Sequence, residues 1–221
     1  MNTITRDINT ISGQVPDIAI IWLHGLGADG EDFVSAISYL NLGNDISARF
    51  VFPTAPMRAV TINNGMQMRS WYDIKAMLPQ RVTNHDQLQE SVEIVKREAD
   101  KLVEQGVDAS KIIVIGFSQG GAVAYELALT SELKVLGVAA MSTYLPRDLS
   151  ADRCLANSNL NVLVIHGQYD DVVPCSLGER SVESLQELGI SAQWHTYPMA
   201  HEVSLESLSL LGEWITQTIT S

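Results

Sequence analysis

The chain has 221 residues, of which 46% are hydrophobic and 18% charged, and it carries a formal net charge of −12. That length suits one globular domain with a large core, and the acidity excludes a nucleic-acid backbone as partner, because phosphate binding needs clustered Lys and Arg. The two cysteines, Cys154 and Cys175, show no C-x-x-C spacing, so neither a disulfide framework nor a zinc site is expected.

The first seven residues hold no basic region followed by an apolar run, and no stretch approaches 18 uninterrupted apolar residues. Neither a signal peptide nor stable membrane insertion is expected, and a cytoplasmic, reduced protein is the simplest expectation. Asp17 to Leu23 is a continuous apolar run, as in a central parallel strand covered on both faces. It leads into His24-Gly25-Leu26-Gly27-Ala28-Asp29-Gly30 and a short predicted helix from Glu31 to Leu40. Arg49 to Pro53 reads as a second strand. From Thr54 to Gln80 no helical or alternating pattern persists, and the stretch carries Met57, Met66, Met68 and Met77 with Ile62, Trp71 and Leu78. Methionine adapts its shape to varied apolar partners, so this stretch reads as a flap or groove, with plain loop packing as the alternative.

Asn84 to Gln105 is the clearest helix. Leu88, Val92, Val95, Ala99, Leu102 and Val103 recur at spacings of four and three, and Gly106 stands where a C-terminal cap belongs. A strand from Lys111 to Ile115 then runs through Gly116-Phe117-Ser118-Gln119-Gly120 into a helical stretch, Gly121 to Leu129. Further strands are predicted over Val135–Met141, Asn161–His166 and Ala192–Tyr197, with helices over Ser176–Leu188 and Val203–Thr216. Strands alternating with helices imply an α/β domain with a mostly parallel sheet. No repeat or linker divides the chain, so residues 1–221 read as one domain with 54–80 as an insertion.

Strand, tight turn and helix with G-x-S-x-G at the turn is the nucleophile-elbow pattern of serine hydrolases. Ser118 is the nucleophile this pattern selects, and the turn aims the backbone N–H of Gln119 where an oxyanion would form. A serine nucleophile needs a base and a group to orient that base, and in α/β-hydrolases the chain order is Ser, Asp or Glu, then His. His166 precedes the best carboxylate and His195 lies inside a predicted strand. His201, in the loop after Tyr197, is the favoured base, with His195 second. Asp170 is the favoured acid and Asp171 its neighbour in reserve. The His24–Gly27 loop offers a second backbone donor at Leu26. A rival reading of Gly25–Gly30 as the G-x-G-x-x-G dinucleotide fingerprint lacks the acid expected at the end of the second strand. His201-Glu202 does not extend to H-E-x-x-H, because residue 205 is Leu205, so no metal site is expected there.

Together these stretches resemble the phospholipase/carboxylesterase family, which includes the acyl-protein thioesterases. The resemblance rests on Leu23–Gly27, Pro53–Pro56, Val60–Gly65, Met68–Ile74, Gly116–Gly121, Ser142–Pro146 and His166–Pro174. It implies a single-domain α/β-hydrolase with a short flap rather than a lid domain, Ser118, Asp170 and His201 as triad, and Leu26 and Gln119 as oxyanion donors. It implies no cofactor, and members that often pair as homodimers. Family members hydrolyse short- to medium-chain acyl esters, and some cleave lysophospholipids or thioester-linked palmitate. Met57, Ile62, Met66, Met68, Trp71, Leu78, Leu145 and Val173 are expected to line a site for a small-molecule or lipid acyl ester. Glu202 after His201 looks more like the bacterial carboxylesterases than the eukaryotic thioesterases, which makes palmitoyl-protein cleavage the secondary expectation. Gln119 is expected to act through its backbone, so Gln119→Ala should be far milder than Ser118→Ala.

Overall fold

The computed structural model describes residues 2–11, 14–77 and 81–220. In chain order the strands are β1 (Thr3–Ile8), β2 (Ile18–Leu23), β3 (Ala48–Pro53), β4 (Met57–Val60), β5 (Met66–Arg69), β6 (Ile74–Ala76), β7 (Val82–Thr83), β8 (Ile112–Phe117), β9 (Gly137–Met141), β10 (Asn161–Gly167) and β11 (Ala192–Tyr197). The α-helices are α1 (His85–Glu104), α2 (Gln119–Thr130), α3 (Cys175–Glu187) and α4 (Leu205–Thr220). The main sheet has the order β1-β3-β2-β8-β9-β10-β11, parallel throughout except for β1 against β3.

Alternate residues of a strand point to opposite faces, and here both faces are covered. Ala19, Ile21 and Leu23 of β2 pack with Val114, Val138 and Val164 against Leu88, Val92, Tyr125 and Leu185 of α1, α2 and α3. Ile18, Ile20 and Trp22 pack with Ile115, Leu163 and Ile165 against Phe33 and against Leu208, Leu211 and Trp214 of α4. Covering both faces is why the central strands read as unbroken apolar runs. From β2 the chain goes to β3 on one side, then returns to β8 on the other. A crevice therefore opens between the carboxyl ends of β2 and β8, the place where open α/β sheets bind ligands.

Several elements differ from their sequence reading. Residues 31–40 hold only a 3₁₀ turn, Val34–Tyr39, rather than an α-helix. β1 escaped notice because it is a half-exposed edge strand with no buried face to impose a pattern. The stretch after Pro53 is not patternless, since β4 pairs with β5 and β6 with β7 as two antiparallel hairpins. Asn64 and Gly65 both take positive φ at the end of the first hairpin, and Asn-Gly is the short-range hairpin signal that betrays it. In α1, Val103 is 44% exposed while Ile94 is buried instead. Asn84 caps that helix, its Oδ1 accepting from the Gln87 N–H.

Gly212 of α4 lies directly on the backbone of Leu40, and a Cβ there would collide with the Leu40 carbonyl. Overpacking costs about 1–3 kcal/mol, more than the roughly 1 kcal/mol that alanine gains over glycine in a helix. Gly212→Ala is expected to lower the melting temperature by roughly 2–8 °C. Thermal denaturation checks this, and an unchanged or raised melting temperature would contradict the close approach.

Candidate active site

The elbow is built against steric resistance. Ser118 takes φ 53° and ψ −118°, outside the regions that L residues ordinarily occupy. Its N–H donates to the Met141 carbonyl at 2.8 Å and its carbonyl accepts the Thr143 hydroxyl at 2.6 Å. The glycines around it are contacts, not ornaments. A Cβ at Gly120 would sit 2.5 Å from the Leu23 carbonyl oxygen, and one at Gly121 would sit 2.5 Å from the Thr143 methyl. One at Gly116 would run into the Gly120 and Gly121 backbone. The serine is thereby lifted to the carboxyl edge of the sheet at the start of α2.

His201 Nε2 lies 2.9 Å from Ser118 Oγ, and its Nδ1 lies 2.7 Å from Asp170 Oδ2. The other Asp170 oxygen accepts the Val172 and Val173 N–H groups at 3.0 and 2.7 Å. Burial pushes the Asp170 carboxyl up, but the hydrogen bonds from His201 and those two N–H groups outweigh it and hold the carboxyl below its ordinary value. It therefore faces Nδ1 as a carboxylate, so Nδ1 carries the proton and Nε2 is free to accept one from Ser118. The His201 loop reaches this position because Gly167 has no Cβ. A Cβ there would strike the Met199 and Ala200 carbonyls that pass over it. Asp171 is exposed, and His195 stays in β11, paired with Ile165.

Two histidines that do not touch Ser118 hold the surrounding loops. His24 Nδ1 donates to the Gly25 carbonyl at 2.7 Å, while its Nε2 accepts the Ala55 N–H at 3.0 Å. That pairing requires a neutral ring. The Gly25 position lies against the Phe117 ring and the Ser118 Cβ, so the loop is set down on the elbow. Among the described residues the Leu26 N–H has no backbone partner, and Gln119 opens α2, where helix N–H groups have none within the helix. Both residues face one cavity with Ser118. His166 donates from Nε2 to the Val173 carbonyl at 2.8 Å, which steadies the turn carrying Asp170. Gly30 abuts the Phe52 carbonyl, and the loop feeds the short 3₁₀ turn rather than an α-helix. The dinucleotide reading has no helix N-terminus to receive a pyrophosphate.

The model of the Phospholipase/Carboxylesterase family matches residues 9–219. The chain belongs to that family. It is 34% identical over 223 residues to acyl-protein thioesterase 1 homolog 1 of Dictyostelium discoideum, covering 98% of this chain and 95% of that protein. It is also 34% identical over 232 residues to acyl-protein thioesterase 1 of Mycosarcoma maydis, with 97% of each covered. The crystal structure of Arabidopsis thaliana SOBER1 superposes with a TM-score of 0.85 at 26% identity, over 91% of this chain and 99% of that one. The fold is accordingly that of an α/β-hydrolase, and the chain is a carboxylic ester hydrolase.

In this family member Ser118, Gln119 and His201 open onto a cavity of about 310 Å³, walled by Leu26, Ile62, Ile74, Met77, Tyr144 and Val173. Of the residues expected to line it, Ile62 and Val173 do, and Leu145 does not. Met57 and Met66 are 52% and 61% exposed on the first hairpin and stand outside the wall. Met68 supports the loop from behind, its methyl against Gly27. Trp71 is fully buried and acts as a strut, its indole N–H donating to the His24 carbonyl at 2.9 Å. Leu78 lies outside the described residues. The Gln119 side chain is not idle. Its Oε1 accepts the Trp71 N–H at 2.8 Å and its Nε2 donates to the Tyr72 carbonyl at 2.6 Å. Among the described residues no group of three His, Cys, Asp or Glu side chains is placed to hold a metal ion, and no helix is long and apolar enough to cross a membrane.

Burial holds both His24 and His166 below the ordinary histidine value, against carbonyl hydrogen bonds that pull the other way. In the unfolded chain both take up a proton near pH 6.5. Below that pH the unfolded state binds more protons than the folded one, so stability falls as pH falls. Melting temperature is expected to be level above about pH 7.5 and to decline from about pH 6.5 to 5; a level profile down to pH 5 would contradict the neutral rings. Gln119→Ala leaves the buried Trp71 N–H without its acceptor, at about 1–3 kcal/mol, while the Tyr72 carbonyl keeps the Ser70 hydroxyl. The substitution is expected to destabilise the fold measurably in chemical denaturation, unlike Ser118→Ala.

Proposed function

We propose that the protein hydrolyses short- to medium-chain acyl esters through an acyl-enzyme formed on Ser118. The observation that carries the reading is the unbroken hydrogen-bond chain Ser118–His201–Asp170, with Ser118 and His201 lining a largely apolar cavity. In the first half-reaction Ser118 Oγ bonds to the carbonyl carbon while its proton passes to His201 Nε2. The negative charge on the former carbonyl oxygen is met by the Leu26 and Gln119 N–H groups. The carbon–oxygen bond to the alcohol then breaks, and His201 returns the proton to that alcohol. Water repeats the sequence on the acyl-enzyme, giving up a proton to His201 and releasing the free acid and Ser118. Asp170 keeps the imidazole in the productive tautomer and stabilises its cation.

The cavity of about 310 Å³ stands at the small end of the roughly 300–1,000 Å³ typical of ligand sites, which supports short acyl groups over long ones. Thioester cleavage is the second reading, supported by two relatives named acyl-protein thioesterases. The chemistry is unchanged with a thiol as leaving group. Glu202, exposed beside His201, argues for the first reading on sequence resemblance alone.

A fluorophosphonate probe is expected to label Ser118, and Ser118→Ala to cut p-nitrophenyl butyrate turnover by about 10⁴-fold or more. Asp170→Asn is expected to cost about 10⁴-fold in kcat by reversing the tautomer. Labelling at another residue, or undiminished turnover in Ser118→Ala, would overturn the proposal. A chain-length series of esters and matched thioesters separates the two readings.

A further inference from the structure

The cavity that Ser118 opens onto has one Arg or Lys among its described lining residues, Arg81, immediately before β7. Its guanidinium lies over the Tyr144 ring, 4.2 Å from the centroid, and its Nη2 donates to the Val172 carbonyl at 3.1 Å. The Tyr144 hydroxyl is itself taken by Tyr72 at 2.7 Å in a buried pair, so the platform beneath the guanidinium is anchored. A guanidinium has five N–H donors, and that carbonyl is the one oxygen among the described residues recorded as accepting from it. No carboxylate pairs with Arg81 among the described residues, and the neighbouring Leu78, Pro79 and Gln80 carry none. The acidic group on the cavity wall is Asp32, which belongs to the loop beyond Leu26 and not to the Arg81 hairpin.

Ser118 and Arg81 share this cavity with the apolar side chains of Ile62, Ile74, Met77 and Val173. A wholly hydrocarbon acyl group would cover the guanidinium and strip its water without giving it an acceptor, which is costly for a charge. A carboxylate there accepts charge-assisted N–H bonds from a planar fork that is already held in place. We propose that Arg81 is a specificity-determining residue that receives a carboxylate at the far end of a short acyl group. The preferred substrates are then half-esters, or half-thioesters, of dicarboxylic acids. This rests on the esterase reading above and names the substrate class of the same site.

Two p-nitrophenyl esters of equal chain length, the hexanoate and the mono-adipate, test it. A third ester, hexanoate of 4-hydroxybenzoate, carries the charge on the leaving group instead. In the unaltered protein the mono-adipate is expected to have the higher kcat/KM. Arg81→Met is expected to lower the adipate-to-hexanoate ratio by about 10- to 100-fold, and Arg81→Lys to keep part of it. Equal losses on both esters would mean that Arg81 only clips β7 to the Val172 turn, and would overturn the proposal. So would an Arg81-dependent preference confined to the 4-hydroxybenzoate ester, which would put the anion on the leaving group. In Ser118→Ala, calorimetric titration with monomethyl adipate reads the contact without turnover. Binding about 10-fold weaker or worse on adding Arg81→Met supports the proposal, even should Ser118 prove not to be the nucleophile; no binding, or binding indifferent to Arg81, overturns it.

Discussion

The carboxyl edge of the sheet depends on one residue, Ser118, remaining in a backbone conformation that costs about 1–3 kcal/mol. The cost is met by contacts drawn from two strands and the loop after β9. Met141 of β9 accepts its N–H, Thr143 donates to its carbonyl, and the Leu23 carbonyl of β2 presses on Gly120. Each contact demands that its neighbour be small or exactly registered in the sheet, which is why the G-x-S-x-G-G run tolerates no Cβ at Gly116, Gly120 or Gly121. The elbow is thus a property of the assembled sheet as much as of its own six residues.

Around that point, buried polar groups are organised so that few are left without partners. The Gln119 side chain, the His24 ring and the Trp71 indole join the 24–30 loop, the 54–56 turn and the 70–72 segment to the elbow. Buried hydrogen bonds add only about 1 kcal/mol each when made, but leaving one partner unsatisfied costs more. The network therefore enforces a single arrangement of the 24–30 loop rather than adding much stability. It also explains why His24 is neutral: the Gly25 carbonyl and the Ala55 N–H between them permit only one tautomer of its ring.

Legibility in the sequence varied with the range of the contact. The elbow was readable because the glycine spacing and the strand-to-helix switch lie within a dozen residues. His201 was separable from His195 because strand alternation confined the latter to β11, and Asp170 from Asp171 because the first residue after the turn faces inward. The cavity wall was less legible. Methionine-rich composition pointed to residues 54–80, yet Met57 and Met66 face solvent and Trp71 faces the core, since composition does not say which side of a hairpin meets the cavity. Arg81 carried no signal, for its neighbours form no pattern and its partners, Tyr144 and Val172, are 63 and 91 residues away.

The sequence by itself determined the layered α/β architecture, the position of the elbow and the order of serine, acid and histidine along the chain. These follow from hydrophobic period, turn chemistry and spacing, all of them local. Only the tertiary structure decided that Ser118, His201 and Asp170 lie within hydrogen-bonding distance, that the Gln119 side chain joins the Trp71 N–H and the Tyr72 carbonyl, and that a guanidinium stands in the cavity wall. Those are contacts between residues 31 to 91 positions apart, and their geometry exists only once both faces of the sheet are packed. The elbow marks the meeting of the two: glycines announce it in the sequence, and contacts from distant strands hold it in place.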